Sequence, residues 1–316
     1  MSLSPNRHWW IPLLCVISML VGCTTSQNPL PYNESIQRIP IQTIEVDGDR
    51  IFYLETGNGP PLILIHGFGG SVWNWEHQQS ILSSRYRVIT VDLLGSGRSD
   101  KPHITYTPSR IVTFLLHFLD ALEIQEATFV GNSMGAGLAM ATALTAPHRT
   151  KALILISGFP QTLQGSIQSP LYRQFLAHRP PLWLAKLGNR FSGRWATRHV
   201  LEEILYDHTL ITPIVVERSF QNRTHHNTLP PLFSLLEHME EWDEQYGTRI
   251  GDIHQPILLL WGEKDRVFSP TIGADLHKAL PQARWHLIPK AGHLLQWESP
   301  EKVNSLIVDF LTNLRL

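Results

Sequence analysis

Residues 127–135 read ATFVGNSMG, in which an apolar run is followed at once by the pattern G-x-S-x-G. The run Ala127–Val130 predicts a buried strand, and the sequence after it predicts a helix. A serine at such a strand-to-helix turn is held on a tight bend that lifts its hydroxyl above the sheet. Small residues fit two positions before and after it, as Gly131 and Gly135 do. Ser133 is therefore the predicted nucleophile, although the bare pattern also occurs as a glycine-rich turn with a bystander serine.

The chain on either side alternates between strand and helix patterns. Apolar runs predict strands at Gln42–Asp47, Ile51–Glu55, Pro61–Ile65, Arg87–Val91, Ala127–Val130, Ala152–Ile156, Pro256–Leu260 and Trp285–Ile288. Helical patterns cover Ser109–Leu122, Met134–Ala146, Pro270–Leu280 and Pro300–Leu314. This alternation predicts an α/β fold with a mostly parallel central sheet and helices on both faces. The turn at Gly48 joins the first two strands and adds an antiparallel edge.

Residues 159–247 interrupt the alternation with helical segments, so we interpret them as an inserted helical cap. The core then comprises residues 41–158 and 248–316. No Asp or Glu occurs from Ala127 to Leu201, whereas arginines and aromatic residues alternate in the cap. This surface either faces an anionic membrane or is an ordinary solvated basic face. We expect the arginines to point outward and the apolar cap residues to line an acyl pocket, namely Leu182, Trp183, Leu184 and Leu187.

A serine nucleophile requires a base and an acid that orients the base. In a fold with this nucleophile turn, the acid follows the serine along the chain and the histidine comes near the C-terminus. His293 lies between the last predicted strand and the last helix, and it is the predicted base. The loop WGEKDRV at 261–267 offers two acids, Glu263 and Asp265. Its pattern favours Asp265, which leaves Glu263 as a solvated loop charge.

An oxyanion intermediate requires two N–H donors. The backbone N–H of Met134, directly after the nucleophile, is the first predicted donor. The second is expected from the loop HGFGG at 66–70, in which glycines allow close backbone approach. We assign it to Phe68 and expect His66 to support this loop by hydrogen bonding. The alternative is that the loop is only a turn.

The N-terminus predicts export. Arg7 precedes the short apolar run Trp9–Val21, so residues 1–22 are predicted to be a signal peptide. LVGC at 20–23 resembles the bacterial lipobox, which makes Cys23 the predicted lipidation site, although an ordinary signal or an uncleaved anchor is the alternative. Residues 23–40 would form a tether, and the mature chain would be a membrane-anchored lipoprotein of the bacterial cell envelope.

Composition excludes several other classes. The chain has only two cysteines, Cys15 and Cys23, so a disulfide framework, a cysteine nucleophile and a cysteine-based zinc site are excluded for the mature domain. A formal net charge of −1 does not indicate a nucleic-acid partner. We expect a small ester or lipid as substrate, and neither a metal nor an organic cofactor.

Several motifs together resemble the α/β-hydrolase superfamily: HGFGG at 66–70, DLLGSGRSDKP at 92–102, GNSMG at 131–135, WGEKDRV at 261–267 and AGHLLQWESP at 291–300. The chain is similar to lipid-anchored or secreted bacterial esterases and lipases, which implies ester cleavage through an acyl-enzyme. Dehalogenases and epoxide hydrolases of this fold carry an aspartate where Ser133 stands, and prolyl peptidases typically carry Trp where Met134 stands.

Two other functions stay open. Meta-cleavage C–C hydrolases share GNSMG-like turns, but they usually have Trp after the catalytic His, where this chain has Leu294. They also carry a cap arginine, near which Arg218 stands one residue out of register. A catalytically inactive, membrane-tethered binding module is the non-enzymatic alternative, against which the set Ser133, Asp265 and His293 argues.

Overall fold

A computed structural model describes residues 34–163, 165–170, 173–174, 180–224 and 228–314. Eight strands form one sheet: β1 (Ile41–Val46), β2 (Asp49–Thr56), β3 (Pro61–Ile65), β4 (Arg87–Val91), β5 (Ala127–Asn132), β6 (Thr150–Ile156), β7 (Ile257–Gly262) and β8 (Arg284–Ile288). Their order is β1-β2-β4-β3-β5-β6-β7-β8. Strands β3 to β8 pair in parallel, and β1 and β2 are antiparallel. The predicted α/β class and its antiparallel edge are confirmed.

Helices cover both faces of this sheet. They are α1 (Glu34–Gln37), α2 (Gln79–Leu82), α3 (Pro108–Ala121), α4 (Met134–Thr145), α5 (Leu182–Ile204), α6 (Pro213–Thr224), α7 (Leu229–Glu237), α8 (Glu240–Gln245), α9 (Pro270–Ala279), α10 (Leu295–Glu298) and α11 (Pro300–Asn313). One apolar cluster contains residues of β5, α3 and α4, and a second contains residues of β7 and α11. The central strands are buried along their whole length, as β5 and β7 illustrate, because helices pack on both sides of them.

The segment before β1 packs on the sheet. Ile36 and Ile39 are buried in a small cluster with Phe52, Leu54 and Val72. The prediction of a tether at residues 23–40 is therefore wrong for Ile36 and Ile39, since these two isoleucines bury apolar surface that a solvated linker would leave exposed. The predicted signal peptide (1–22) and Cys23 lie outside the described residues.

The chain between β6 and β7 contains helices α5 to α8. Its middle part packs against loops of the core in a separate cluster, in which Leu201, Leu205, Ile211, Val215 and Val216 join Trp73, Leu294 and Trp297. Its two ends belong to the main core, which includes Phe159, Leu163, Trp242 and Tyr246. The part that stands apart from the sheet core is thus narrower than the cap predicted at 159–247. Among the described helices, none is long and apolar enough to cross a membrane.

Helix α5 agrees with our expectation for its arginines, since Arg194 and Arg198 are exposed, but not for its large apolar residues. Trp183, Leu184 and Leu187 are exposed, so the prediction that they line an acyl pocket is wrong. The buried face of α5 carries small residues instead: Gly193 and Thr197 are buried, and a Cβ on Gly193 would lie 2.0 Å from the Phe220 ring of α6. Close packing of α5 on α6 therefore selects the small-residue face, and the large apolar side chains point away.

Candidate active site

Ser133 occupies the turn between β5 and α4 with φ 54° and ψ −119°. This backbone conformation is unfavourable for a residue with a side chain and costs on the order of 1–3 kcal/mol. The two flanking positions have no room for a side chain. A Cβ on Gly131 would lie 2.3 Å from the Gly135 carbonyl oxygen, and one on Gly135 would lie 2.2 Å from the Ile65 carbonyl oxygen. The turn thus holds Ser133 at the end of a central strand, above the sheet.

Asp265 and His293 are paired, as expected from their positions in the chain. Asp265 follows β7, His293 follows β8, and the distance from Asp265 Oδ2 to His293 Nδ1 is 2.8 Å. The other carboxylate oxygen of Asp265 accepts the N–H groups of Val267 and Phe268 at 2.9 and 3.0 Å. These bonds fix the carboxylate so that the imidazole is held by Nδ1 and its Nε2 is left for chemistry. Glu263 is exposed and pairs with Lys264 instead.

The backbone of His293 is also tied to the nucleophile turn. Asn132, the residue before Ser133, donates from Nδ2 to the His293 carbonyl oxygen at 3.1 Å and to Ile156 O at 3.2 Å. One amide side chain therefore joins the loops that carry the predicted nucleophile and the predicted base. Sequence reasoning assigned no role to Asn132.

The loop after β3 lies against Ser133. A Cβ on Gly67 would be 3.2 Å from the Ser133 Cβ, so a side chain at position 67 would crowd the serine. Phe68, the predicted second donor, is the next residue. Met134 begins α4, where the first N–H groups of a helix have no intrahelical acceptor. The two predicted oxyanion donors thus come from backbone segments on either side of the serine.

His66 supports this loop from inside the protein. Its Nε2 accepts the Leu93 N–H at 3.2 Å, so its Nδ1 carries the proton and donates to Gly67 O at 2.8 Å. Complete burial lowers the pKa of His66 to about 4, which keeps the ring neutral. This bonding agrees with the supporting role expected for His66.

Asp92, in the motif after β4, organises the next loop. Its two oxygens accept the N–H groups of Val72 and Arg98, each at 2.8 Å. Burial raises the pKa of Asp92 to about 6. Asp92 belongs to the motif at 92–102 but was not among the predicted site residues.

The helices between β6 and β7 bond directly to the site loops. Asn222 of α6 donates to the carbonyl oxygens of Gly69 and Gly70 at 3.0 and 3.2 Å. Leu201 and Ile211 pack with Trp73. The insertion therefore contacts the loop that follows β3, next to the predicted oxyanion donor.

A buried ion pair lies at the same junction. Arg218 Nη1 of α6 is 2.8 Å from Glu76 Oε2, and the side chains are 11% and 4% exposed. The other oxygen of Glu76 accepts the Trp297 indole N–H at 2.8 Å, and the Arg218 guanidinium lies 5.9 Å from the Trp73 ring centroid. Glu76 thus neutralises the cap arginine inside the protein.

Glu298 forms hydrogen bonds to two segments, one in the predicted cap and one in the loop that carries His293. Its Oε1 accepts the N–H groups of Tyr206 and Asp207 at 2.6 and 2.9 Å, and its Oε2 accepts the Gly292 N–H at 2.6 Å. The His293 N–H itself donates to Ile204 O at 2.8 Å. Burial raises the pKa of Glu298. No local pattern predicts this role, because the cap partners are 91 and 92 residues away in the chain.

Comparison with known proteins agrees with this architecture. A family model described as alpha/beta hydrolase fold matches residues 60–300. A 2-hydroxy-6-oxononadienedioate/2-hydroxy-6-oxononatrienedioate hydrolase from Paraburkholderia phymatum is 31% identical over 281 residues, which are 83% of this chain and 91% of that protein.

Two solved structures are similar in shape and sequence. A meta-cleavage product hydrolase from Pseudomonas fluorescens IP01 has a TM-score of 0.74 and 27% identity, covering 87% of this chain and 98% of that one. An enol-lactonase from Burkholderia xenovorans LB400 has a TM-score of 0.70 and 25% identity, covering 86% and 100%.

Proposed function

Since the chain belongs to the alpha/beta hydrolase fold family, we propose that it is a serine hydrolase that cleaves carboxylic esters. Ser133 attacks the ester carbonyl while His293 takes its proton, and the N–H groups of Phe68 and Met134 stabilise the oxyanion. His293 then protonates the leaving alcohol. Water, deprotonated by the same imidazole, hydrolyses the acyl-enzyme. Asp265 orients the ring and stabilises its charged form.

The ion pair between Arg218 and Glu76 is the observation that favours an ester, and not a carbon–carbon bond, as the bond that is cleaved. The relative from Paraburkholderia phymatum is named for a dioate, a substrate with two carboxylates. A site for such a substrate needs cations directed at it, and Arg218 is instead bound at 2.8 Å to a buried carboxylate. Leu294, where meta-cleavage hydrolases usually have Trp, supports the same conclusion.

Two other cap arginines are also paired, but at the surface. Arg194 bonds to Glu217, and Arg198 bonds to Glu202. These exposed pairs reduce the positive charge that the sequence of the cap suggested. The lactonase among the structural neighbours cleaves a cyclic ester by its name, which is consistent with ester chemistry on this fold.

C–C hydrolysis is the second candidate, because the sequence similarity to the dioate hydrolase extends over 83% of the chain. The test compares kcat/KM for p-nitrophenyl esters of graded acyl length with kcat/KM for the 2-hydroxy-6-oxononadienedioate. We expect esters to be preferred by at least about 100-fold, since Arg218, the cap arginine weighed for a carboxylate of the dioate, is already paired with Glu76. Preference for the dioate would refute the proposal.

The same assay tests the mechanism. Ser133→Ala removes the nucleophile, so ester turnover is expected to fall by several orders of magnitude while the protein stays folded. Turnover like that of the wild type in the purified variant would show that Ser133 is a bystander.

A further inference from the structure

Helix α5 carries a row of large apolar side chains that is exposed along its length. Trp183, Leu187, Phe191 and Trp195 are 67%, 47%, 64% and 68% exposed. They follow one another at intervals of four residues, so they lie on neighbouring turns of the helix. We call this row the α5 apolar stripe. At 1.5 Å per residue it extends for roughly 18 Å.

Among the described residues, the stripe lies outside the apolar clusters of the domain. Between residues 193 and 201 a different side of α5 is packed, because Gly193, Thr197 and Leu201 are buried there. Single exposed apolar residues are ordinary, but a row of four, three of them aromatic, marks an interaction surface. The surface requires a partner that accepts large apolar groups.

We propose that the α5 apolar stripe inserts into the surface of an anionic phospholipid bilayer. Trp183 and Trp195 lie at its two ends, and indole rings favour the level of the lipid headgroups. Exposed Lys186 lies beside the stripe, and Arg198 lies one turn beyond it. No Asp or Glu occurs from Ala127 to Leu201, so the exposed ammonium of Lys186 is complementary to lipid phosphates, whereas Arg198 is already bonded to Glu202.

A second copy of the chain fits this surface less well. In a two-fold symmetric contact the same patch meets itself, so both copies would bring the positive charge of Lys186 into one interface, where the stripe offers no acidic side chain to pair with it. A bilayer offers acyl chains to the apolar stripe and anionic headgroups to the adjacent positive charge. Because Arg194 and Arg198 are already paired with Glu217 and Glu202, insertion of the apolar side chains is the main contribution and salt weakens binding only modestly.

The experiment places one dye on the stripe and one elsewhere. The chain has only two cysteines, Cys15 and Cys23. With both changed to Ser, Leu187→Cys accepts an environment-sensitive fluorophore, and Leu287→Cys on β8 is the matched control, since the two leucines are 47% and 45% exposed. The local readout does not depend on how the N-terminus holds the chain, or on which bond the enzyme cleaves.

Vesicles of phosphatidylcholine and phosphatidylglycerol are expected to shift the emission of the dye at position 187 to the blue, while the dye at 287 stays unchanged. Adding Trp183→Ser, Phe191→Ser and Trp195→Ser is expected to weaken the response on the order of 100-fold in lipid concentration. Equal responses at the two positions, or none, would overturn the proposal. A shift at 187 on raising protein concentration without vesicles would assign the stripe to a second copy instead.

Discussion

Replacing Glu298 by Gln tests whether the hydrogen bonds from Glu298 to the cap and to the loop of His293 contribute to stability and activity. An amide has one acceptor oxygen, whereas the carboxylate uses both of its oxygens for three backbone N–H groups. The Gln oxygen can accept either the two N–H groups of the cap or the N–H of Gly292, but not both. The NH2 group of the Gln side chain then points at the N–H that has lost its acceptor. An unsatisfied donor costs about 1–3 kcal/mol. Because Glu298 is only partly buried, we expect about 1–2 kcal/mol of lost unfolding free energy.

The effect on activity is expected to be larger than this loss of stability suggests. Gly292 directly precedes His293, so a loosened Gly292 N–H displaces the predicted base. A displacement of about 1 Å can reduce turnover by up to about 100-fold. Urea unfolding gives the free energy, and ester kinetics give kcat separately from KM. Glu301→Gln, an exposed acid in the first turn of α11, is the control. If the two variants match in stability and in kcat, the reasoning is refuted.

Three further changes follow from the site and the N-terminus. Asp265→Asn is expected to reduce kcat by roughly 10³- to 10⁴-fold, since the amide no longer stabilises the charged imidazole, whereas Glu263→Gln should leave kcat nearly unchanged. For His66 the pKa of about 4 lies below the ordinary 6.5 of the unfolded chain. Between these values the unfolded chain binds more protons, so stability falls as pH drops from about 6.5 to 4, by about 3 kcal/mol from this residue. Palmitate fed to bacteria that express the chain is expected to label the wild type but not Cys23→Ser.

Each of these expectations has its own control. Steady-state kinetics of Asp265→Asn and Glu263→Gln decide which acid orients His293. An equal loss of kcat in the two variants would contradict the assignment to Asp265. Urea titrations at several pH values compare the wild type with His66→Asn, whose free-energy difference should shrink as pH falls; a constant difference would contradict a buried neutral histidine. Label that persists on Cys23→Ser, or a mature N-terminus other than residue 23, would argue against lipidation.

The sheet could be predicted from the sequence because its strands are short apolar runs that local pattern reveals. Pro61–Ile65 and Arg87–Val91 have the same bounds in the sequence analysis and in the structure. The positions of Asp265 and His293 were equally accessible, since chain order alone places them after the last two strands. Local information was sufficient for these residues.

The direction of α5 could not be obtained in this way. Its large apolar residues predicted a buried face, but tertiary contact between Gly193 and Phe220 turns the small-residue face inward. The packing of Ile36 and Ile39 was not predicted either, because two isoleucines in a polar stretch form too weak a pattern. The supporting roles of Glu298 and Asn222 depend on partners far away in the chain, which no local pattern encodes.

The contacts that join the segment between β3 and α2 to helix α10 also affect when the site is assembled during folding. Glu76 and Trp297 are 221 residues apart, and the amide of Gln78 donates to Gln296 O across 218 residues. Pairings of such separation form slowly, because a long loop must close before they stabilise anything. A chain synthesised from its N-terminus has its nucleophile turn complete long before Trp297 exists. Regain of activity after dilution from denaturant should therefore lag behind regain of helical and strand signal.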